Sequence, residues 1–340
     1  MLPRLGALRI VGSRRRGCCG HLTALGCGLF TSDRRAPAAL GERSADELAA
    51  LLRDGARTSI PLTALLPVIE SAHNIAGGAN YAEHGAEVDV AAPFLFPKIA
   101  APGAWEQRLA TQPDWLLDYE VEIAVVFDRE IASEADLSAA RAGVFLINDF
   151  TERAQLAFEA DMSLPGVGGG FANGKGKPGF LPTGPFLVVP RDWRAFVRDC
   201  AIRLRVNGTE RQSARGGEMI WNVEELARRS LALGGQPLFE HGGRPVALVP
   251  RAIPRGTAIL TGTPGGVFFS TPGSGFIAKH LAWWLASGAF LETDATPYVT
   301  QRWVEELRGR GAFLRAGDVV IAEGSGLGAI VTRIEAAATH

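Results

Sequence analysis

The chain has 340 residues, 35 of them basic and 36 acidic, for a formal net charge of −1. With 47% hydrophobic residues it can bury a large core, which excludes a disordered or low-complexity chain. The balanced charge excludes a general nucleic-acid binder, which needs a basic excess to neutralise phosphates. Only four basic residues are lysine (Lys98, Lys175, Lys177 and Lys279), so each stands out against an arginine-rich background.

The first 32 residues hold five arginines and no acid, including Ser13-Arg14-Arg15-Arg16. The apolar run from Leu22 to Phe30 is broken by Gly26 and Gly28 and is too short to span a membrane. Residues 1–43 are expected to be a poorly ordered extension or leader ahead of a cytoplasmic domain, with import into an organelle or export as alternatives. Cys18, Cys19, Cys27 and Cys200 form no disulfide framework, and Cys19, His21 and Cys27 lack the fourth ligand of a structural zinc site.

Ser44-Ala45-Asp46-Glu47 reads as a capping box, so 44–61 should be a short helix and linker before a catalytic domain over 62–336. From Trp115 to Phe127 the residues alternate, with Leu117, Tyr119, Val121, Ile123 and Val125 on one side, which predicts a strand. Ser133 should cap a helix to about Ala142, and Gly143 to Ile147 should be a buried strand ending at Asn148-Asp149. Phe186–Val189 and Ile202–Val206 are further strand candidates, and Asn207-Gly208 marks a hairpin. Asn222 should cap a helix that stops near Gly234-Gly235, and short strands follow over 245–262 and 318–334. The pattern is that of an α+β protein, β-rich, without an alternating βα array.

One segment, about 268–313, stands apart as an insertion. It contains the apolar run Gly275 to Leu285 with Trp283 and Trp284. A helical hairpin packed on the body or on a dimer partner is one reading; an active-site lid or a membrane contact through Trp283 and Trp284 is the other.

Strand alternation places Asp118, Glu120 and Glu122 on one face, where three like charges need solvent, protons or a cation. They are read either as the solvated face of an edge strand or as a metal site at the boundary where Ala124 and Val126 turn that face apolar. Asp149, delivered by the end of the next strand, would complete an all-oxygen set of Glu120, Glu122 and Asp149. Such a set suits Mg²⁺, Mn²⁺ or Ca²⁺.

Together these runs resemble the fumarylacetoacetate hydrolase family. They are Asn80 to Glu87, Asp118-Tyr119-Glu120-Val121-Glu122, Asn148-Asp149-Phe150-Thr151-Glu152-Arg153, Lys175 ahead of Pro182-Thr183-Gly184-Pro185, Thr261-Gly262-Thr263-Pro264 and Gly317-Asp318-Val319-Val320. Phe94-Leu95-Phe96-Pro97-Lys98 is another family-like stretch. The resemblance implies a fold with a mixed, rolled β-sheet and peripheral helices, usually a homodimer, with a divalent metal on Glu120, Glu122 and Asp149. It also implies a water-activating pair in His84 and Glu87, an active-site lysine in Lys175, and substrate contacts from Arg153 and Thr263. The family's glutamine falls on Leu156 here, with Gln155 one residue early as its substitute.

These residues lead to a metal-dependent hydrolase of a carbon–carbon bond in a small 2,4-dioxo acid, an acylpyruvate or similar oxo acid. The alternatives are an isomerase or decarboxylase on the same site, or a non-catalytic binding or membrane-surface module. Gly169 to Lys175 mimics a phosphate-binding loop, but Gly176 stands where Ser or Thr should meet Mg²⁺.

Overall fold

The computed structural model describes residues 65–161 and 164–338, together with the backbone of the strands Leu8–Val11, Cys19–Leu22, Gly26–Thr31 and Arg57–Thr58. Most of the expected leader over 1–43, and the helix expected from Ser44, lie outside the described residues.

Six strands carry the main sheet: β1 (His73–Gly78), β2 (Phe94–Ile99), β3 (Val121–Phe127), β4 (Ala142–Asn148), β5 (Leu187–Val188) and β6 (Ala258–Leu260). Their spatial order is β5-β4-β3-β6-β1-β2, and the four N-terminal strands continue the sheet beyond β5. β1 and β6 run parallel and the other neighbours antiparallel, so the sheet is mixed. A second sheet holds, in spatial order, Thr209–Arg215, Ala201–Val206, Val319–Gly324, Gly328–Ala336 and Glu106–Thr111. Ile202, Leu204, Val320 and Ile330 from this sheet join one buried apolar cluster with Val121, Ile123 and Val125.

β3 is central, bonded to β4 on one side and β6 on the other, and every residue of it is buried. β4 is likewise buried throughout. This rules out the solvated edge-strand alternative for the carboxylates: covered sheets show apolar runs on both faces, and β3 carries one. The expected strand over 115–127 is also divided, into Leu117–Asp118 and β3.

The local signals at the caps act as expected. The Ser133 side chain accepts from the Asp136 N–H at the start of Glu134–Ala139, and Asn222 accepts from Glu225 at the start of Val223–Ala232. Asn207 and Gly208 both have positive φ (50° and 83°), as the tight hairpin turn requires.

Five helices surround the site: α1 (Ala82–Glu87), α2 (Arg153–Glu159), α3 (Gly170–Gly174), α4 (Ser274–Ala286) and α5 (Ala295–Arg310). The insertion is thus a helical hairpin. Its second helix buries Tyr298, Val299, Trp303, Val304 and Leu307, while α4 buries no residue. Trp303, Val304 and Leu307 form a satellite core with Leu116, Ala154 and Phe313. No helix among the described residues is long and apolar enough to cross a membrane. The architecture is α+β, with mixed sheets and peripheral helices.

Candidate metal centre

Two chain segments meet where β3 enters the main sheet and β4 leaves it. Thr151 pairs with Asp118, and the Asp149 N–H donates to the Glu120 carbonyl at 2.8 Å. This docking gathers Glu120, Glu122 and Asp149, all buried, each with an oxygen within 4.8 Å of the others. Opposed oxygens sit about 4.2 Å apart across Mg²⁺ and about 4.8 Å across Ca²⁺, twice the usual metal–oxygen distance. The donor set therefore fits one hard cation.

The carboxylates are held in place from behind. Asn148 Oδ1 accepts from the Glu120 N–H at 2.9 Å, and the Gly262 N–H donates to Glu122 Oε2 at 2.7 Å. Gly262 has φ +87°, and a Cβ there would lie 2.9 Å from the Asn80 Cβ. Only glycine brings that N–H to the carboxylate without strain.

Lys175 follows α3. The glycine-rich stretch before it is a short helix rather than a loop: a Cβ on Gly174 would lie 2.8 Å from the Leu156 Cβ, and one on Gly170 only 2.5 Å from the Ala160 nitrogen. Those glycines let α3 lie against α2, which explains a run that otherwise resembles a phosphate loop. The Lys175 ammonium donates to Glu120 Oε2 (2.8 Å), Asp149 Oδ2 (3.1 Å) and Thr151 Oγ1 (2.8 Å).

A second lysine was not among the expected site residues. Lys98, at the end of β2 and fully buried, bonds to Asp149 Oδ1 and to the Lys175 carbonyl, both at 2.5 Å. The rarity of lysine and the stretch Phe94 to Lys98 were the signals that marked it. Arg153 takes a similar part on the other flank. Its Nε donates to Asp118 Oδ2 (2.9 Å) and its Nη2 to Glu120 Oε1 (2.7 Å). Asp118 also accepts from the Phe268 and Phe269 N–H groups, so it serves Arg153 and not the metal set.

These neighbours drive the carboxylates apart in acidity. Burial would raise the Glu120 pKa, but the charges of Lys175 and Arg153 prevail and hold it at about 2. Burial, and then the charges of Asp149 and Glu120, push Glu122 well above the usual carboxylate range. Burial lowers the Lys98 pKa, only partly opposed by Asp149. Lys175 goes the other way, because Asp149 and Glu120 overcome its burial and raise it.

A cavity of about 380 Å³ opens above this cluster, and Glu120, Arg153, Lys175, His84 and Thr263 all line it. His84 Nδ1 is 3.4 Å from Glu87 Oε2, and the other Glu87 oxygen accepts from the Gly266 N–H at 2.7 Å. The Thr263 hydroxyl donates to the Val121 carbonyl (3.1 Å) and accepts from Gln212 (2.8 Å), which pins the turn to β3. Gln155 is not brought to the cavity. It bonds instead to Glu159 (2.8 Å) and Lys177 (2.5 Å), and Leu156 lines the wall in its place.

A sequence profile described as fumarylacetoacetate (FAA) hydrolase C-terminal matches residues 74–335. The 2,4-didehydro-3-deoxy-L-rhamnonate hydrolase of Sphingomonas sp. (strain SKA58) is 28% identical over 235 residues, 67% of this chain and 71% of that protein. The mitochondrial oxaloacetate tautomerase FAHD2A of Bos taurus is 30% identical over 213 residues; the match spans 61% of this chain and 60% of the tautomerase. Among solved structures, a probable 2-hydroxyhepta-2,4-diene-1,7-dioate isomerase from Mycobacterium abscessus shares the fold. Its TM-score is 0.55 at 23% identity, over 90% of this chain and 89% of that one. A hydrolase and a tautomerase thus stand side by side among the sequence relatives. The profile covers most of the described residues, and the chain belongs to the fumarylacetoacetate hydrolase family.

Proposed function

We propose that the chain is a metal-dependent hydrolase that cleaves a carbon–carbon bond in a small 2,4-dioxo acid of the acylpyruvate type. The observation that carries this reading is that His84, partnered by Glu87, opens onto the same cavity as Glu120 and Lys175. Glu120, Glu122 and Asp149 would hold Mg²⁺ or Mn²⁺, with Ca²⁺ also compatible with the oxygen set. Bound there, the cation supplies Lewis acidity toward the oxo and carboxylate oxygens of the substrate.

The chain's own groups do the rest. His84 takes a proton from water, and Glu87 orients the ring and stabilises its charged form. The resulting hydroxide adds to the distal carbonyl carbon. The bond between that carbon and the methylene then breaks, and its electron pair passes into the enolate of the 2-oxo acid. Lys175 offsets the enolate charge, and the proton held by His84 returns to the methylene carbon.

A second reading, tautomerisation of a 2-oxo acid without attack by water, is favoured by the bovine tautomerase relative and by the largely apolar wall of the cavity. His84→Ala separates the two. In Mg²⁺ buffer the hydrolysis of acetylpyruvate should fall by about 10²–10⁴-fold, the usual contribution of a general base. Keto–enol exchange of oxaloacetate, followed by ultraviolet absorbance, should persist if tautomerisation is the native reaction. Wild-type hydrolysis rates in His84→Ala would overturn the hydrolytic assignment.

A further inference from the structure

The cavity lining is of two unlike kinds. Among the described residues its charged lining is Glu120, Arg153 and Lys175, and His84 lines it as well. Arg153 and Lys175 are already engaged with carboxylates. To the rest of the lining the inserted hairpin contributes Ile277, Leu281, Val299 and Trp303, and the core adds Leu156 and Phe171. The hairpin segment's polar side chains there are the hydroxyls of Thr271, Thr296 and Thr300 and the Trp303 indole, whose N–H is bonded to the Ser270 carbonyl. Among the described residues the hairpin itself brings no lysine or arginine to the cavity, and the Arg153 guanidinium that lies 5.4 Å from the Phe269 ring centroid is held by Asp118 and Glu120.

A substrate with a carboxylate on its distal arm would have to bury that charge against this wall without a free counter-ion among the described residues. Burial of an unpaired charge is among the costliest acts in a protein interior. An alkyl or aryl arm meets the opposite situation, since it replaces water on apolar surface. Leu156 matters here as well. It shares a face of α2 with Arg153, three residues apart, so the lining residue next along from that cation is already apolar.

We infer that the distal arm of the substrate is an uncharged apolar group, alkyl or aryl, and that the inserted hairpin is the element that selects it. This rests on the oxo-acid reading above, and it deepens that reading by naming the substrate class. It assigns the insertion a role in specificity. The shape of the hairpin agrees, because α5 is anchored in the satellite core while Ile277 and Leu281 of α4 reach the cavity.

The test uses the full chain with Mg²⁺ and a series of acylpyruvates: acetyl, butanoyl, hexanoyl and benzoyl, against succinylpyruvate and fumarylpyruvate as anionic arms. The expected result is a kcat/KM that rises about threefold to fourfold per added methylene until the arm fills the space. Benzoylpyruvate should exceed fumarylpyruvate by about tenfold or more. Leu281→Arg, and Ile277→Arg as an independent second variant on the same partly exposed helix, should shrink that ratio toward unity or invert it. A flat series, or a preference for the anionic arms, overturns the inference.

A binding arm separates this outcome from failure of the proposed reaction. Straight-chain 2-oxo acids from four to eight carbons are titrated by calorimetry with the same protein. Affinity that tightens with chain length, without turnover of any acylpyruvate, supports the apolar arm and rejects the hydrolytic step. Affinity independent of length overturns the apolar arm whatever the turnover shows.

Discussion

The floor and the roof of the cavity are built on opposite principles. The floor is a fixed charge array: Asp118, Glu120 and Asp149 are tied to Arg153, Lys175 and Lys98 by buried ion pairs of 2.5–3.1 Å. Its members lie just before β3, just after β4, in β2, at the start of α2 and just after α3, all of them buried. The roof is an apolar hairpin attached through one helix face, with Trp283 and Leu285 of α4 exposed at 64% and 59%. The difference teaches where each property resides. On the proposed reading the chemistry needs charges that do not reorganise, which the buried floor supplies. Selectivity for an arm needs only shape and apolar surface, which an insertion can supply without disturbing the floor.

The sharpest way to break this contrast is to strike the floor. Glu120→Gln removes one of the three proposed metal ligands and one partner each of Arg153 and Lys175. Turnover should fall by more than about a hundredfold, beyond the loss that mutation of an outer-shell partner usually causes. Calorimetric Mn²⁺ titration should show binding lost in parallel. Activity within tenfold of wild type would mean that the cluster is not the reacting centre.

The roof is tested with two tryptophans of one hairpin. Trp303 is buried, packs on the Phe276 ring at 4.8 Å between centroids, and donates to the Ser270 carbonyl at 2.9 Å. Trp303→Ala should cost about 3–5 kcal/mol of stability, as large-to-small changes in a core do. Trp283→Ala should stay within about 0.5 kcal/mol, as an exposed residue does. Denaturant melts of the two variants check both values. A large loss at Trp283 would show that the outer face of α4 is covered in solution.

Much of the floor was legible in the sequence because strand residues repeat every second position. That period put Glu120 and Glu122 on one face and let β4 deliver Asp149. It did not reveal the break in the strand. The N–H groups of Tyr119, Glu120 and Val121 go to side-chain oxygens of Asp118, Asn148 and Gln212 instead of a ladder neighbour. Two of those partners lie 28 and 91 residues away, beyond any local pattern. Gln155 was misplaced for a readable reason. Once Glu152 caps the helix at Arg153, the residue sharing its face is Leu156, three positions on, and Gln155 points aside. The roof was illegible in direction because Gly275 to Leu285 is apolar nearly all round, so no stripe says which side faces the cavity.

The last predicted effect runs against intuition, because it stabilises. Glu122 is buried with its pKa raised well above the usual range, by burial first and then by Asp149 and Glu120. A carboxyl raised in the folded state keeps a proton that the unfolded chain releases above the ordinary glutamate range. Stability of the metal-free protein therefore falls as pH rises from that range through neutrality. Glu122→Gln removes the proton requirement while its amide oxygen can still accept from Gly262. In chelator at pH 7 the variant should melt about 2–5 °C higher than wild type, with the gap closing at pH 4.5. Added Mn²⁺ should reverse the order, since only the wild type keeps all three ligands and gains by binding. A variant that melts lower than wild type in chelator would show that Glu122 is charged and satisfied without a metal. The floor would then be a structural ion network, and only the roof would retain an assigned role.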